Sequence, residues 1–202
     1  MALPVFESLR ARYPADHLAV LTHYPELFES HPFVDAVNIV PRRIDQYLLL
    51  RSGPRDVFRL EHYARTAGVA LPVSRPHLYY RDWRMPILDA LPEGPGPLIA
   101  VATGASWRTK RWPLSRWRAV CESLAARGCR IVALGTEDDE SIGVGLSLLG
   151  KTNVREAACV LHAADLLICC DSGLMHLCLA AAKPVLALFG PTNPSMLIRD
   201  EP

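Results

Sequence analysis

Apolar and polar positions along the second half of the chain follow two periods. Continuous apolar runs predict strands buried on both faces at Leu98–Thr103 (LIAVAT), Cys129–Leu134 (CRIVAL), Asp165–Cys170 (DLLICC) and Val185–Phe189 (VLALF). Helical spacing between them predicts four helices. These run over Leu114–Arg127, ended by Gly128; over Glu137–Leu148; over Val154–Ala163, capped by Asn153; and over Gly173–Ala182, ended by Lys183-Pro184. Acidic residues open the Glu137–Leu148 segment, where they suit the positive end of a helix dipole. Strands alternating with helices imply βαβ units and a parallel sheet.

The first half is less regular. Leu3–Tyr13 reads as an amphipathic helix with Val5, Phe6 and Leu9 on its apolar side. A strand at His17–Thr22, a short helix at Pro25–Ser30 and a second strand at Val34–Val40 follow. Arg55–Ala67 reads as a helix ended by Gly68. Leu91–Pro97 (LPEGPGP) has the composition of a linker. The expected division is an amino-terminal α/β domain over residues 1–93 and a second domain over 94–202.

Composition narrows the function. The chain has 202 residues, enough for one large domain or two small ones. Half of them are hydrophobic and 21% are charged, which supports a packed core. Lys+Arg is 22 against Asp+Glu 21, so no broad positive field invites nucleic acid or an anionic membrane. A membrane span needs about 20 consecutive apolar residues. The most apolar stretch, Ala163–Gly190, is cut by Asp165, Asp171, His176 and Lys183. The first residues lack the basic start and apolar core of a signal peptide. Six cysteines, none in a CxxC pair and most in apolar runs, read as buried thiols in a reducing cytosol. The expectation is a cytoplasmic protein with no metal site.

Ligands of parallel sheets bind beyond the carboxyl ends of the strands. That rule selects the loops at residues 104–112, 135–140 and 171–176. In CCDSGLMH a buried strand ends at Cys170, and Asp171-Ser172-Gly173 turns into a helix. Free backbone N–H groups at such a helix start hold phosphate, and Gly173 allows close approach. His176 lies in the first turn, within reach of a phosphate oxygen. The plain alternative is an ordinary N-cap by Asp171 or Ser172 with a core-facing histidine.

The loop GASWRTKRWP brings Ser106, Thr109 and Lys110 after another strand. Lysine is scarce, with Lys110, Lys151 and Lys183 against 19 arginines. An ammonium on a flexible stem suits a diphosphate as a point charge. Its alternative is a solvated RTKR surface run. Trp112 and Trp117 read as packing residues. In GTEDDE a carboxylate such as Asp139 can accept from ribose hydroxyls, or simply favour a helix N-terminus.

Together these segments resemble glycosyltransferase family 9, the ADP-heptose:lipopolysaccharide heptosyltransferases. The resemblance is carried by GASWRTKRWPLSRW, by GTEDDE and by LLGKTNVREAACVLHAADLLICCDSGLMHLCLAAAKPVLALFGPTNP, and more weakly by ALPVFESLRARYP. It implies a GT-B-like α/β fold: a Rossmann-like parallel-sheet donor domain with a shortened amino-terminal α/β domain, the family's active site lying in the cleft between two such domains. It implies an inverting transfer of a sugar, heptose in the family, from an ADP-sugar to a lipid-linked oligosaccharide acceptor of the lipopolysaccharide core. No cofactor is implied. Without a transmembrane segment, work at the cytoplasmic face of the inner membrane would be peripheral.

The resemblance also implies residue roles. Ser106 contacts donor phosphate, and Lys110 contacts phosphate or sugar and acts in catalysis. Asp139 lies near the nucleoside, and Asp171, Gly173 and His176 form the diphosphate and sugar pocket. Gly104, Thr109, Ser172, Leu174 and Met175 complete the donor-binding set. Two departures stand out. Ala102-Thr103 occupies the place where the family often carries His-Pro. Family members also begin with a strand and a Gly-Asp loop before the stretch matching Ala2-Leu3-Pro4. That aspartate is the family's general base, so the base is expected upstream of Met1, with nucleotide binding but little turnover by this chain alone. Two other classes stay open: a non-catalytic nucleotide-sugar-binding remnant and a GT-B-like sugar-nucleotide epimerase.

Overall fold

The computed structural model describes residues 2–50, 58–70 and 76–198. The chain forms two compact units, one of Met1–Arg81 with Asn193–Pro202 and one of Asp82–Thr192. The division falls earlier than the 93/94 boundary expected from sequence. The Pro- and Gly-rich stretch read as a linker is instead docked on the second unit. Arg130 donates from Nε to the Gly96 carbonyl (2.8 Å) and from Nη1 to the Pro92 carbonyl (2.8 Å). Gly96 packs so closely on the Gly128 carbonyl that a side chain there would overlap it.

In the first unit, helix α1 (Leu3–Arg12) packs on helix α2 (Arg59–Ala67) through Val5, Leu9, Leu60 and Ala67. Gly68 ends α2 in the left-handed conformation, φ 63°, as its position predicts. Residues 55–57 of the expected Arg55–Ala67 helix lie outside the described residues. The two expected strands shrink to the parallel pair β1 (Ala19–Val20) and β2 (Ala36–Val37). Pro25–Phe28 forms a 3-10 turn. The Asp35 carboxylate ties the strand entries together, accepting from the Leu18 N–H (2.7 Å) and from Arg10. The Leu18 N–H and the Arg10 guanidinium hold its carboxyl below the usual carboxylate range.

The second unit is a five-stranded parallel sheet: β3 (Leu98–Ala102), β4 (Arg130–Ala133), β5 (Leu146–Ser147), β6 (Leu166–Cys170) and β7 (Val185–Leu188). The spatial order is β5-β4-β3-β6-β7. The strand direction of travel therefore reverses at β3, and β3 and β6 flank the topological switch point. Helix α3 (Leu114–Ala126) links β3 to β4, α4 (Val154–Ala163) precedes β6, and α5 (Gly173–Ala180) links β6 to β7. Ile99, Val101, Ile131, Ala133, Ile168 and Cys170 pack with Trp117 and Cys121 of α3. The alternate residues Ala100, Val132, Leu167 and Cys169 are equally buried, as strands covered on both faces require. Asn153 caps α4 in a full capping box with Glu156.

The helix expected over Glu137–Leu148 does not form. Thr136–Asp139 is a turn, and the chain then runs to the short strand β5. Glycine is the cause. Gly143 (φ 70°) and Gly145 (φ 72°) adopt left-handed backbone, and Gly145 sits directly against the Ile131 carbonyl. Two glycines within three residues also weaken any helix.

Candidate functional site

The three loops chosen from the sequence leave the carboxyl ends of β3, β4 and β6, on one edge of the sheet. The loop after β3 contains the 3-10 turn Arg108–Lys110. Its closing bond runs from the Lys110 N–H to the Trp107 carbonyl (3.0 Å). In such a turn residues three apart eclipse, so the Trp107 and Lys110 side chains share one side. The Lys110 ammonium lies 4.5 Å from the Trp107 ring centroid. It also donates to Asp171 Oδ2 at 2.6 Å, across the switch point. Lys110 and Asp171 side chains are only 14% and 5% exposed, so the reading of Lys110 as part of a solvated surface run fails.

The loop after β4 folds onto the same segment. Asp139 Oδ2 accepts from the Thr136 N–H (2.9 Å) and hydroxyl (3.0 Å), while Oδ1 faces Arg111 Nη2 at 3.8 Å. The carboxylate packs against Gly104 so closely that a Cβ there would overlap it. Arg111 Nε donates to the Ala105 carbonyl (3.0 Å). Thr103, Gly104, Arg111, Trp112, Asp139 and Glu140 line a cavity of about 40 Å³. That is room for a few waters, at about 10–15 Å³ of such space each. Trp112 and Trp117 meet edge to face at 5.2 Å with Trp117 fully buried, in keeping with a packing role.

At the start of α5, N-cap Ser172 makes no side-chain capping bond and its Oγ is buried without a hydrogen-bond partner. Asp171 is engaged by Lys110 instead of capping the helix. Gly173 is exposed, and a Cβ there would meet no atom within 4 Å. His176 and Leu174 are half-buried, whereas the Met175 side chain is fully buried in the core. Met175 therefore offers a ligand its main chain alone. Ser106 and Thr109 are exposed on the first loop, and the Thr109 carbonyl abuts Gly190 after β7.

The structure thus joins Lys110 to Asp171 and Asp139 to Gly104. Arg111, Thr136 and Trp107 belong to the same cluster and were not singled out in the sequence. The Trp-x-x-Lys spacing was the available signal for Trp107. Burial raises the thiols of Cys169, Cys170 and Cys178, the last to about 11, so these neighbours of the site are protonated thiols and not nucleophiles. No group of three metal-ligating side chains occurs among the described residues.

Comparison with known proteins matches the model of glycosyltransferase family 9 (heptosyltransferase) to residues 58–197. Lipooligosaccharide heptosyltransferase 2 of Haemophilus influenzae is 32% identical over 115 residues, 50% of this chain and 33% of that protein. Lipopolysaccharide heptosyltransferase 1 of Pseudomonas aeruginosa is 34% identical over 106 residues, 48% of this chain and 30% of that protein. The matched stretch spans about a third of these relatives' length. Among solved structures, the Escherichia coli ADP-heptose lps heptosyltransferase II superposes with a TM-score of 0.74 at 18% identity, covering 96% of this chain and 82% of that one. The heptosyltransferase TibC, solved in complex with ADP-D-beta-D-heptose, gives 0.76 at 18% identity, with 96% and 55% covered. These two likenesses are of fold.

Proposed function

Since this chain belongs to glycosyltransferase family 9, the heptosyltransferases, we propose that its Asp82–Thr192 unit is the donor half of an enzyme transferring heptose from an ADP-sugar to a lipopolysaccharide-core acceptor. The observation that carries this reading is the Lys110–Asp171 pair, 2.6 Å across the switch point, beside an uncapped helix start. Parallel α/β sheets receive nucleotides at that place.

In an inverting transfer, a base takes the proton of an acceptor hydroxyl and the oxygen attacks the anomeric carbon. The bond from that carbon to the diphosphate breaks, and ADP leaves carrying the electron pair. This unit acts on the leaving group. The Lys110 ammonium, His176 and the N–H groups of Gly173, Leu174 and Met175 offset the negative charge growing on the diphosphate. Ser106 and Thr109 supply hydroxyls for phosphate oxygens. Asp139, on the loop after β4, is the carboxylate assigned to the nucleoside end of the donor. The chemistry asks for no cofactor.

Six cysteines are free thiols, which suits the reducing cytoplasm. No helix among the described residues is long and apolar enough to cross a membrane. The lipid-linked acceptor would be met at the cytoplasmic face of the inner membrane.

The test is incubation with ADP-heptose and a lipopolysaccharide-core acceptor, followed by mass spectrometry of both. An acceptor heavier by one heptose, with ADP released, supports the reading. An isomerised ADP-sugar with unchanged acceptor would mean an epimerase. A bound but intact donor would leave the donor-half reading standing without transfer by this chain alone, and a donor that does not bind would overturn it.

A further inference from the structure

We propose that Trp107 is a positioning residue for Lys110, holding its ammonium over the indole face so that it stands ready beside Asp171. The inference rests on the reading that Lys110 serves the donor diphosphate, and it goes beyond it by giving a role to a residue outside the expected donor-binding set. Trp107 is 51% exposed, an unusual place for a large indole in a unit whose packing tryptophans are half-buried (Trp112) or 1% exposed (Trp117). Hydrophobic packing therefore does not account for it. Its ring lies 4.5 Å from the Lys110 ammonium. The geometry is built into the backbone. The Lys110 N–H closes a 3-10 turn on the Trp107 carbonyl, which places the two side chains one above the other.

A lysine stem loses much rotamer freedom when it is held in one place. The Lys110 side chain is only 14% exposed, while Ser106, Arg108 and Thr109 around it are exposed. Asp171 holds the ammonium from one side through its carboxylate. The ring holds it from another through the negative π face, an attraction open to Trp, Tyr and Phe but not to aliphatic side chains. A diphosphate entering the site then meets a cation already in place.

The test needs no nucleotide, so its failure is distinct from failure of the donor-site reading. The 202-residue chain is treated with a limiting amine-acylating reagent, and labelling of the lysines is followed by peptide mass spectrometry. Lys151, whose ammonium donates to the Ser147 carbonyl, serves as the internal reference. Trp107→Leu should acylate at Lys110 about two- to fivefold faster than wild type, the range of an exposed cation–π contact. Trp107→Phe and Trp107→Tyr should restore slow labelling, which a role in mere surface packing would not require. Thermal melting of each variant confirms the folded state before labelling. Equal Lys110 rates in wild type and Trp107→Leu, or equal rates in the Leu and Phe variants, would overturn the proposal.

Discussion

Lys110 and Asp171 form a 2.6 Å ion pair between the loops that leave β3 and β6, and both side chains are largely shielded from water. Removing one partner leaves the other charge in a site from which solvent is mostly excluded, which costs more than losing both. A double-mutant cycle with Lys110→Met and Asp171→Asn, read by urea unfolding, should give a coupling of about 1–3 kcal/mol. Additive effects of the two substitutions would show that the pair contributes nothing to the loop arrangement.

Gly104 and Asp139 form a second link. The carboxylate fills the space a Cβ would need and is fixed by Thr136. Gly104→Ala should therefore lower stability by about 1–3 kcal/mol, the cost of overpacking. Shortening the obstruction in Gly104→Ala/Asp139→Gly should recover part of that loss relative to the Asp139→Gly single variant. Thermal or urea unfolding reads both. An unaffected Gly104→Ala would mean that the β4 loop yields freely.

Much of this site was legible in the sequence because parallel strands are written as uninterrupted apolar runs. β3, β4, β6 and β7 fall within their expected spans, and the Asn153 cap is as expected. Lys110 and Asp171 were both chosen, yet 61 positions separate them, and nothing local encodes their pairing. The Glu137–Leu148 helix was misread because its acidic start mimics a helix N-terminus. The deciding feature is the close approach of Gly145 to Ile131, a tertiary contact that periodicity does not carry. The linker at Leu91–Pro97 was misread for the same reason: Arg130, distant in sequence, binds its carbonyls. β1 and β2 were overestimated because only Ala19↔Ala36 and Val20↔Val37 find partners.

The first unit carries its own pH dependence. His31 is buried among Phe6, Phe28, Phe33 and Tyr79, and desolvation lowers it to about 4. Its Nδ1 accepts from the Phe33 N–H (3.4 Å). Between about pH 4 and 6.5 the unfolded chain binds a proton at this position that the folded chain rejects. Stability therefore rises with pH across that window and falls on acidification. The full effect is about 3 kcal/mol at 1.36 kcal/mol per unit. Urea unfolding at pH 4.5 and 7 should show it, and His31→Leu should flatten the dependence. An equal slope in both proteins would place the titrating group elsewhere.

The central claim is that the edge formed by the loops after β3, β4 and β6 binds the diphosphate of a nucleotide donor. Calorimetry of ADP and adenosine against the wild-type chain, Lys110→Ala and Gly173→Val tests it most directly. Gly173→Val is a suitable probe, because a Cβ at this exposed position would meet no protein atom within 4 Å. The wild type should bind ADP. Lys110→Ala should weaken that binding by about 1.5–3 kcal/mol, the range for a charge-assisted hydrogen bond, and change adenosine binding little. Gly173→Val should block ADP at the helix start. ADP affinities that are the same in all three proteins, or a Lys110→Ala loss of equal size for adenosine, would contradict the account.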